Sequence, residues 1–109
     1  MENKDRHIIN KILSEIEVIE SLLSGFDFSA FICDERTKRA VCMTLINIGE
    51  LVKALSDEFK LSHTDIPWRA ISGLRDVTAH RYQTLRMEDI WATVETDIPD
   101  LYAKISSRI

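Results

Sequence analysis

The chain has 109 residues, 45% hydrophobic and 29% charged, with a formal net charge of −4. That size and balance fit one soluble, globular domain over residues 1–109 and exclude a disordered chain. Three glycines and two prolines are too few for a turn-rich all-β fold, and a net negative charge argues against a coat for non-specific nucleic-acid binding.

The opening, Met1-Glu2-Asn3-Lys4-Asp5-Arg6-His7, is charged and leads into an amphipathic stretch rather than the apolar centre of a secretory signal. No apolar run approaches the roughly 20 residues of a membrane span, so a cytoplasmic protein with no membrane association is expected. From about Lys4 to Ser24, Ile8, Ile9, Ile12, Leu13, Ile16, Ile19, Leu22 and Leu23 keep helical spacing, with polar residues between them. Gly25 is a natural stop. Asp27 or Ser29 can cap a short helical piece after Phe26, and Asp34 can cap a second long helix.

That second helix carries Val41, Leu45, Ile48, Leu51, Val52 and Leu55 on its buried stripe. Within it Asn47 and Glu50 share a face. Between them Gly49 costs ~1 kcal/mol relative to alanine, which suggests close packing against a neighbour. Glu50 reads most simply as a surface acid or a partner for Lys53, with a place facing the active region as the lesser reading. Leu61 to Asp65 reads as a linker, after which Thr64 or Asp65 caps a third helix with Pro67 in its first turn. Ile71, Leu74 and Val77 extend its apolar stripe. A turn at Gln83-Thr84 leads to a last helix from about Met87, with Glu88 and Asp89 at its positive end. Its stripe is Ile90, Trp91, Val94, Ile98, Leu101, Tyr102 and Ile105, and Pro99 should kink or divide it.

The expected fold is all-α: an antiparallel bundle of four long helices plus short helical pieces, with no sheet. Cys33 and Cys42 project to opposite sides of their helical region and lack a histidine at metal-ligand spacing, so both read as reduced structural thiols. Trp68 and Trp91 belong to the core or its edge, and His7 and His63 carry no role. No metal or cofactor is expected.

Chemistry concentrates in Arg75-Asp76-Val77-Thr78-Ala79-His80-Arg81-Tyr82. Between Arg69 and Arg86 there are four arginines (Arg69, Arg75, Arg81, Arg86) and one acid, Asp76. That segment therefore carries +3 in a chain of net −4. Arg69, Arg81 and Arg86 are the candidate RNA-binding cations. Histidine titrates near neutral pH, and arginine offers a planar donor fork for phosphate oxygens. Cleaving RNA through its own 2′-hydroxyl needs one group to take that proton and another to protonate the leaving 5′-oxygen. His80 fits those roles, and Arg75 fits the stabilisation of charge on phosphorus. On a straight helix Arg75 and Tyr82 lie nearly on one line, Asp76 and His80 share a face, and Arg75 and His80 point ~140° apart. Arginine's reach, a helix that loosens near His80, or a symmetric dimer can each bring the pair together. Tyr82 is left with three readings: a cover on the bundle end, a stacking surface for a base, or an acceptor of modification.

At these residues the sequence resembles the HEPN superfamily, in its HepT-like branch, whose motif R-x4-H-x-Y matches Arg75, His80 and Tyr82. Asn47-Ile48-Gly49-Glu50, Ile66-Pro67-Trp68, Trp91 and Asp97-Ile98-Pro99-Asp100-Leu101 follow the branch in order and spacing, so the resemblance covers nearly the whole chain. It implies an all-α homodimer whose motif residues meet in a cleft between subunits. It implies a metal-independent endoribonuclease toxin with Arg75 and His80 in catalysis; the residues themselves add Asp76, one turn before His80, as a support that orients the ring, and Tyr82 as a further supporting group. It further implies a minimal nucleotidyltransferase as antitoxin, which silences the toxin by transferring AMP to Tyr82. Two positions depart from the pattern: Asp76 stands where many relatives carry asparagine, and Arg86 where relatives often carry an acid. The alternative reading is a non-catalytic helical subunit that docks a nucleotidyltransferase; a third is a dimeric scaffold whose arginine-rich face meets an acidic partner.

Overall fold

The computed structural model describes residues 2–76 and 82–108. Among them every regular element is helical. Helix α1 (Asn3–Leu23) ends just before Gly25, whose φ of 81° is the left-handed turn that glycine adopts without a Cβ penalty. Asp27 Oδ1 accepts the Ala30 amide at 2.8 Å and caps α2 (Phe28–Cys33). Asp34 Oδ1 does the same for the Thr37 amide at 3.2 Å at the start of α3 (Glu35–Ala54).

Helices α1 and α3 form the frame, and two tie points fix their sense. Asp5, near the start of α1, bonds Ser56 just after α3, while Glu15 accepts from Asn47 Nδ2 at 2.8 Å. Low numbers on one helix meet high numbers on the other, so the pair is antiparallel. Ile9, Ile12 and Ile16 interlock with Val41, Leu45 and Ile48, all fully buried, which is the helical periodicity of both segments expressed as packing. Leu51, expected in the core, is half-buried at the side of the frame.

Asp5 is a feature that sequence periodicity does not reveal: a carboxylate only 2% exposed. Its Oδ1 accepts the Ser56 amide at 2.9 Å and its Oδ2 accepts the Ser56 hydroxyl at 2.6 Å. Burial pushes the Asp5 pKa upward, but the two Ser56 bonds outweigh it and hold the group below its ordinary value. The same Ser56 hydroxyl accepts the Phe59 amide at 3.1 Å and caps α4 (Asp57–Leu61). Ser56→Ala therefore removes a cap and strips a buried carboxylate of its partner, at an expected cost of ~1–3 kcal/mol near pH 7. Because the folded-state pKa is depressed, the Asp5 contribution is complete above the usual carboxylate range and is lost as pH falls through the lowered value. Urea melts of parent and variant should thus differ at pH 7 and converge on acidification; equal midpoints at pH 7 would dismiss the role.

The α4 turn lies ahead of the stretch that reads in sequence as linker and shares only Leu61 with it. After it, the Trp68 indole N–H is shared between the Lys60 and His63 carbonyls at 3.1 and 2.9 Å. His63 Nδ1 bonds the Phe59 carbonyl at 2.9 Å, and its ring packs on Phe59. Neither Thr64 nor Asp65 caps the next helix. Helix α5 (Trp68–Ser72) has Pro67 at its N-cap position without a side-chain bond. Asp65 instead pairs with Arg108, and its carbonyl accepts Lys104 Nζ at 3.2 Å, so the chain end recruits it. The α-helix also stops sooner than its apolar pattern predicts, giving way at Gly73 to a 3-10 segment (Gly73–Asp76). Val77, expected to continue that stripe, lies outside the described residues.

A second 3-10 turn (Tyr82–Thr84) precedes α6 (Met87–Ala92), a π turn (Thr93–Asp97) and α7 (Ile98–Ser106). Pro99 lacks an N–H, and its ring would crowd the carbonyl four residues back in a regular α-helix. The π turn widens the rod immediately before it, and the Ile98 amide reaches back to the Thr93 carbonyl. Ile90, Val94, Ile98, Leu101 and Ile105 therefore remain buried in one stripe across the division. Trp91 is half-buried against Phe28 and Phe31. With 68–76 and 87–106 each counted as one rod, the architecture is four helical rods plus short pieces, as the sequence pattern predicts. Cys33 and Cys42 are free; burial, aided by the charge of Glu35, pushes the Cys42 thiol up to about 11, which makes it inert.

Candidate active site

The site is built on one face of α3. Gly49 is buried, and a Cβ placed on it would lie 2.6 Å from the Arg75 amide nitrogen and 3.0 Å from the Ser72 carbonyl oxygen. Both obstructing atoms are backbone. Glycine is thus what lets the α5 and 3-10 segment seat directly on α3, and the close packing expected at Gly49 has Arg75 as its object.

One residue further along, Glu50 Oε1 lies 3.5 Å from Arg75 Nη1, and Asp76 Oδ1 lies 3.9 Å from Arg75 Nε. Glu50 is thus a surface acid, and its ion-pair neighbour is Arg75, the lesser of its sequence readings. Both carboxylates are exposed, and both pairs sit at the long end of ion-pair geometry, so neither holds the guanidinium firmly. They orient it and leave its donors open to exchange for another anion.

Tyr82 sits elsewhere. Its hydroxyl donates to Glu35 Oε2, and the Arg39 guanidinium lies 4.6 Å from the centre of its ring. Glu35 also accepts from Arg39 Nε at 2.8 Å and pairs with Lys38 Nζ at 3.2 Å. The Tyr82 bond, with Lys38 and Arg39, lowers the Glu35 carboxyl to about 2. Partial burial, then the bond to Glu35 and its charge, push the Tyr82 phenol up to about 12. The carboxylate and the protonated phenol thus coexist across the whole physiological range.

Arg75 and Tyr82 do not stand in line on one helix. The α-helix ends at Ser72, and Tyr82 belongs to a separate 3-10 turn. They rest on opposite ends of α3, one at Gly49 and Glu50, the other at Glu35 and Arg39. Those contact points are roughly 15–20 Å apart along the axis at ~1.5 Å per residue. Asp76 faces Arg75. His80 and Arg81 lie outside the described residues. Arg69 is exposed on α5, and Arg86 is exposed and shared with Glu88, with Nη2 to Oε2 at 3.2 Å.

Beside Arg75, α1 and α3 enclose an open cleft of about 520 Å³ whose walls include His7, Lys11, Glu15, Asn47 and Glu50. His7, which carries no pattern in the sequence, gains its place here only through the α1–α3 pairing. Among the described residues no group of three or more His, Cys, Asp or Glu is arranged to hold a metal ion. No helix among them is long and apolar enough to cross a membrane.

An all-α bundle with an arginine seated by a glycine on its second long helix, next to a cleft that shares Glu50 with that arginine, defines a helical-bundle class of protein. The chain belongs to the ribonuclease HepT-like family, whose family model matches residues 12–108. It is 36% identical over 104 residues to the probable ribonuclease HepT of Thermococcus cleftensis, covering 95% of this chain and 94% of that one. A protein of Caldanaerobacter subterraneus subsp. tengcongensis is 35% identical over 92% of this chain and 89% of its own. One from Methanocaldococcus jannaschii is 33% identical over 100% of this chain and 91% of its own. Both of the latter are named as candidate RNases. No solved structure gives a significant match to the chain.

Proposed function

We propose that this chain is a metal-independent endoribonuclease toxin that cleaves RNA through its own 2′-hydroxyl, with Arg75 and His80 as the catalytic residues. The observation that carries the reading is the seat of Arg75. A chain of the ribonuclease HepT-like family devotes a buried glycine on α3 to bringing this backbone in, and presents the guanidinium on loose, exchangeable carboxylate contacts. A phosphodiester displaces Glu50 and Asp76 from the fork and receives a bidentate donor pair. Arg75 then offsets the charge that develops on phosphorus. The His80 imidazole removes the 2′-hydroxyl proton, and a second imidazole, from the partner copy of a homodimer, protonates the leaving 5′-oxygen. Arg69, Arg81 and Arg86 bind flanking phosphates.

The test is cleavage of end-labelled RNA in excess EDTA, comparing mass-verified unmodified protein with His80→Ala. The expected result is cleavage by the parent alone, leaving 2′,3′-cyclic phosphate ends, with the variant slower by ~10²–10⁴-fold. Loss of activity in EDTA with recovery on adding magnesium would overturn the mechanism.

Regulation in this reading falls on Tyr82. A minimal nucleotidyltransferase acting as antitoxin transfers AMP to the phenol: the Tyr82 oxygen bonds the α-phosphorus of ATP, pyrophosphate leaves, and the phenolic proton passes to solvent. Tyr82→Phe is expected to retain the fold, since an exposed bond to Glu35 contributes little, and to take up no AMP from the partner. Intact-mass spectra showing unchanged incorporation would remove Tyr82 as the acceptor. The alternative, a non-catalytic subunit that docks the nucleotidyltransferase, draws on the pairing of Arg75 with two carboxylates in the resting chain. Absence of cleavage by verified unmodified protein would select it.

A further inference from the structure

We propose that the cleft between α1 and α3 is a nucleobase subsite for the nucleotide next to the phosphate held by Arg75, and that it selects bases bearing an exocyclic amino group. This deepens, and rests on, the reading of the chain as a ribonuclease. The cleft measures about 520 Å³, inside the ~300–1,000 Å³ range of small-ligand sites. Glu50 joins it to the arginine: that carboxylate lines the cleft and lies 3.5 Å from Arg75 Nη1. A chain whose phosphate displaces Glu50 from the guanidinium leaves that carboxylate facing the neighbouring base.

The lining suits a base better than a phosphate. Glu15 and Glu50 face one lysine, Lys11, and the imidazole of His7, so an anion would meet more negative than positive charge. Carboxylate and amide side chains are the groups that read base edges: acids accept from exocyclic amines, and asparagine pairs an amine with the ring acceptor beside it. Asn47 is held for that purpose. Its Nδ2 donates to Glu15 at 2.8 Å, which fixes the amide plane and turns its carbonyl oxygen to acceptor duty. Leu51, half-buried where the core pattern calls for full burial, supplies an apolar wall for a ring face. Uracil lacks an exocyclic amine and leaves both carboxylates unmatched.

The test uses the full chain, titrated with AMP, CMP, GMP and UMP while backbone amide signals are followed by NMR. The first three should shift the signals of Asn10, Ser14, Asn47 and Glu50, with UMP weaker. Asn47→Ala should weaken binding by roughly tenfold or more. Because that variant also cuts a tie between α1 and α3, Ser14→Trp, which fills the cleft without removing a bond, should abolish the shifts while leaving the melting temperature near the parent's. In RNA cleavage, Ser14→Trp should raise KM and flatten base preference beside the cut, with kcat less affected. Unmoved cleft signals, or equal response to UMP, would overturn the subsite. So would cleavage with KM and base preference untouched by Ser14→Trp, or a change of oligomeric state in that variant, which would assign the cleft to a second copy. Nucleotide binding in the cleft without any RNA cleavage would sink the ribonuclease reading and leave the subsite standing.

Discussion

Arg75→Ala is expected to slow RNA cleavage by ~10²–10³-fold, the usual loss when a preorganised donor to a developing oxyanion is removed. The same change should hardly move the melting temperature. Its partners Glu50 and Asp76 are exposed, at 3.5 and 3.9 Å, and pairs of that kind contribute ~0–1 kcal/mol. Arg75→Lys separates charge from shape: an ammonium keeps the cation and loses the planar fork, so it should recover only part of the rate. Single-turnover cleavage in EDTA, run beside thermal melts, reads both quantities. An Arg75→Ala protein that cleaves at the parent's rate would remove the arginine from the chemistry, and one that fails to fold would make its role structural.

Gly49→Ala tests the same site from the opposite side, and two effects compete. Alanine is the better helix former by ~1 kcal/mol, so at an open position the change would stabilise α3. Here the new methyl meets the Arg75 nitrogen at 2.6 Å and the Ser72 oxygen at 3.0 Å. Those are backbone atoms, which cannot rotate away as a flexible side chain would, and overpacking of this kind costs ~1–3 kcal/mol. The clash should win by up to ~2 kcal/mol, lowering the melting temperature by ~4–8 °C per kcal/mol in a domain of this size. Relief requires the 3-10 segment to move off α3, carrying Arg75 with it, and displacements near ~1 Å cost ~10²-fold in rate. Gly49→Ala should therefore lose both stability and cleavage, whereas Arg75→Ala loses cleavage alone. A Gly49→Ala protein that melts higher than the parent would show that propensity, not contact, governs the position.

The local chemistry of the chain was readable because it is short-range. Asp27 and Asp34 cap the helices they precede, Gly25 ends α1 in the left-handed region, and Pro99 divides the last rod. Each of these depends on a residue and its immediate neighbours. The isoleucines of α1 and the Val41–Leu45–Ile48–Val52 stripe likewise follow from a 3.6-residue period. Where reading failed, a distant contact outbid a local signal. Asp65 has the chemistry of a cap but is claimed by Arg108, 43 residues away. Helix α4 carries a legible start, Ser56 before Asp57 and Glu58, yet its single turn is too short for a periodic pattern.

The all-α class, the run of helices, and the residue types from which a phosphodiester site can be assembled are all legible in the order of the amino acids. Tertiary structure decided where they go. It seated Arg75 on Gly49 and Glu50, set Tyr82 against Glu35 and Arg39 at the other end of α3, and opened a cleft between α1 and α3. It also buried Asp5 under Ser56. The physical reason is that helix propensity, capping and amphipathic period act within about one turn. The approach of two backbones, an ion pair across 25 positions, a phenol–carboxylate bond across 47, and the shape of a cleft exist only once antiparallel helices have fixed their register.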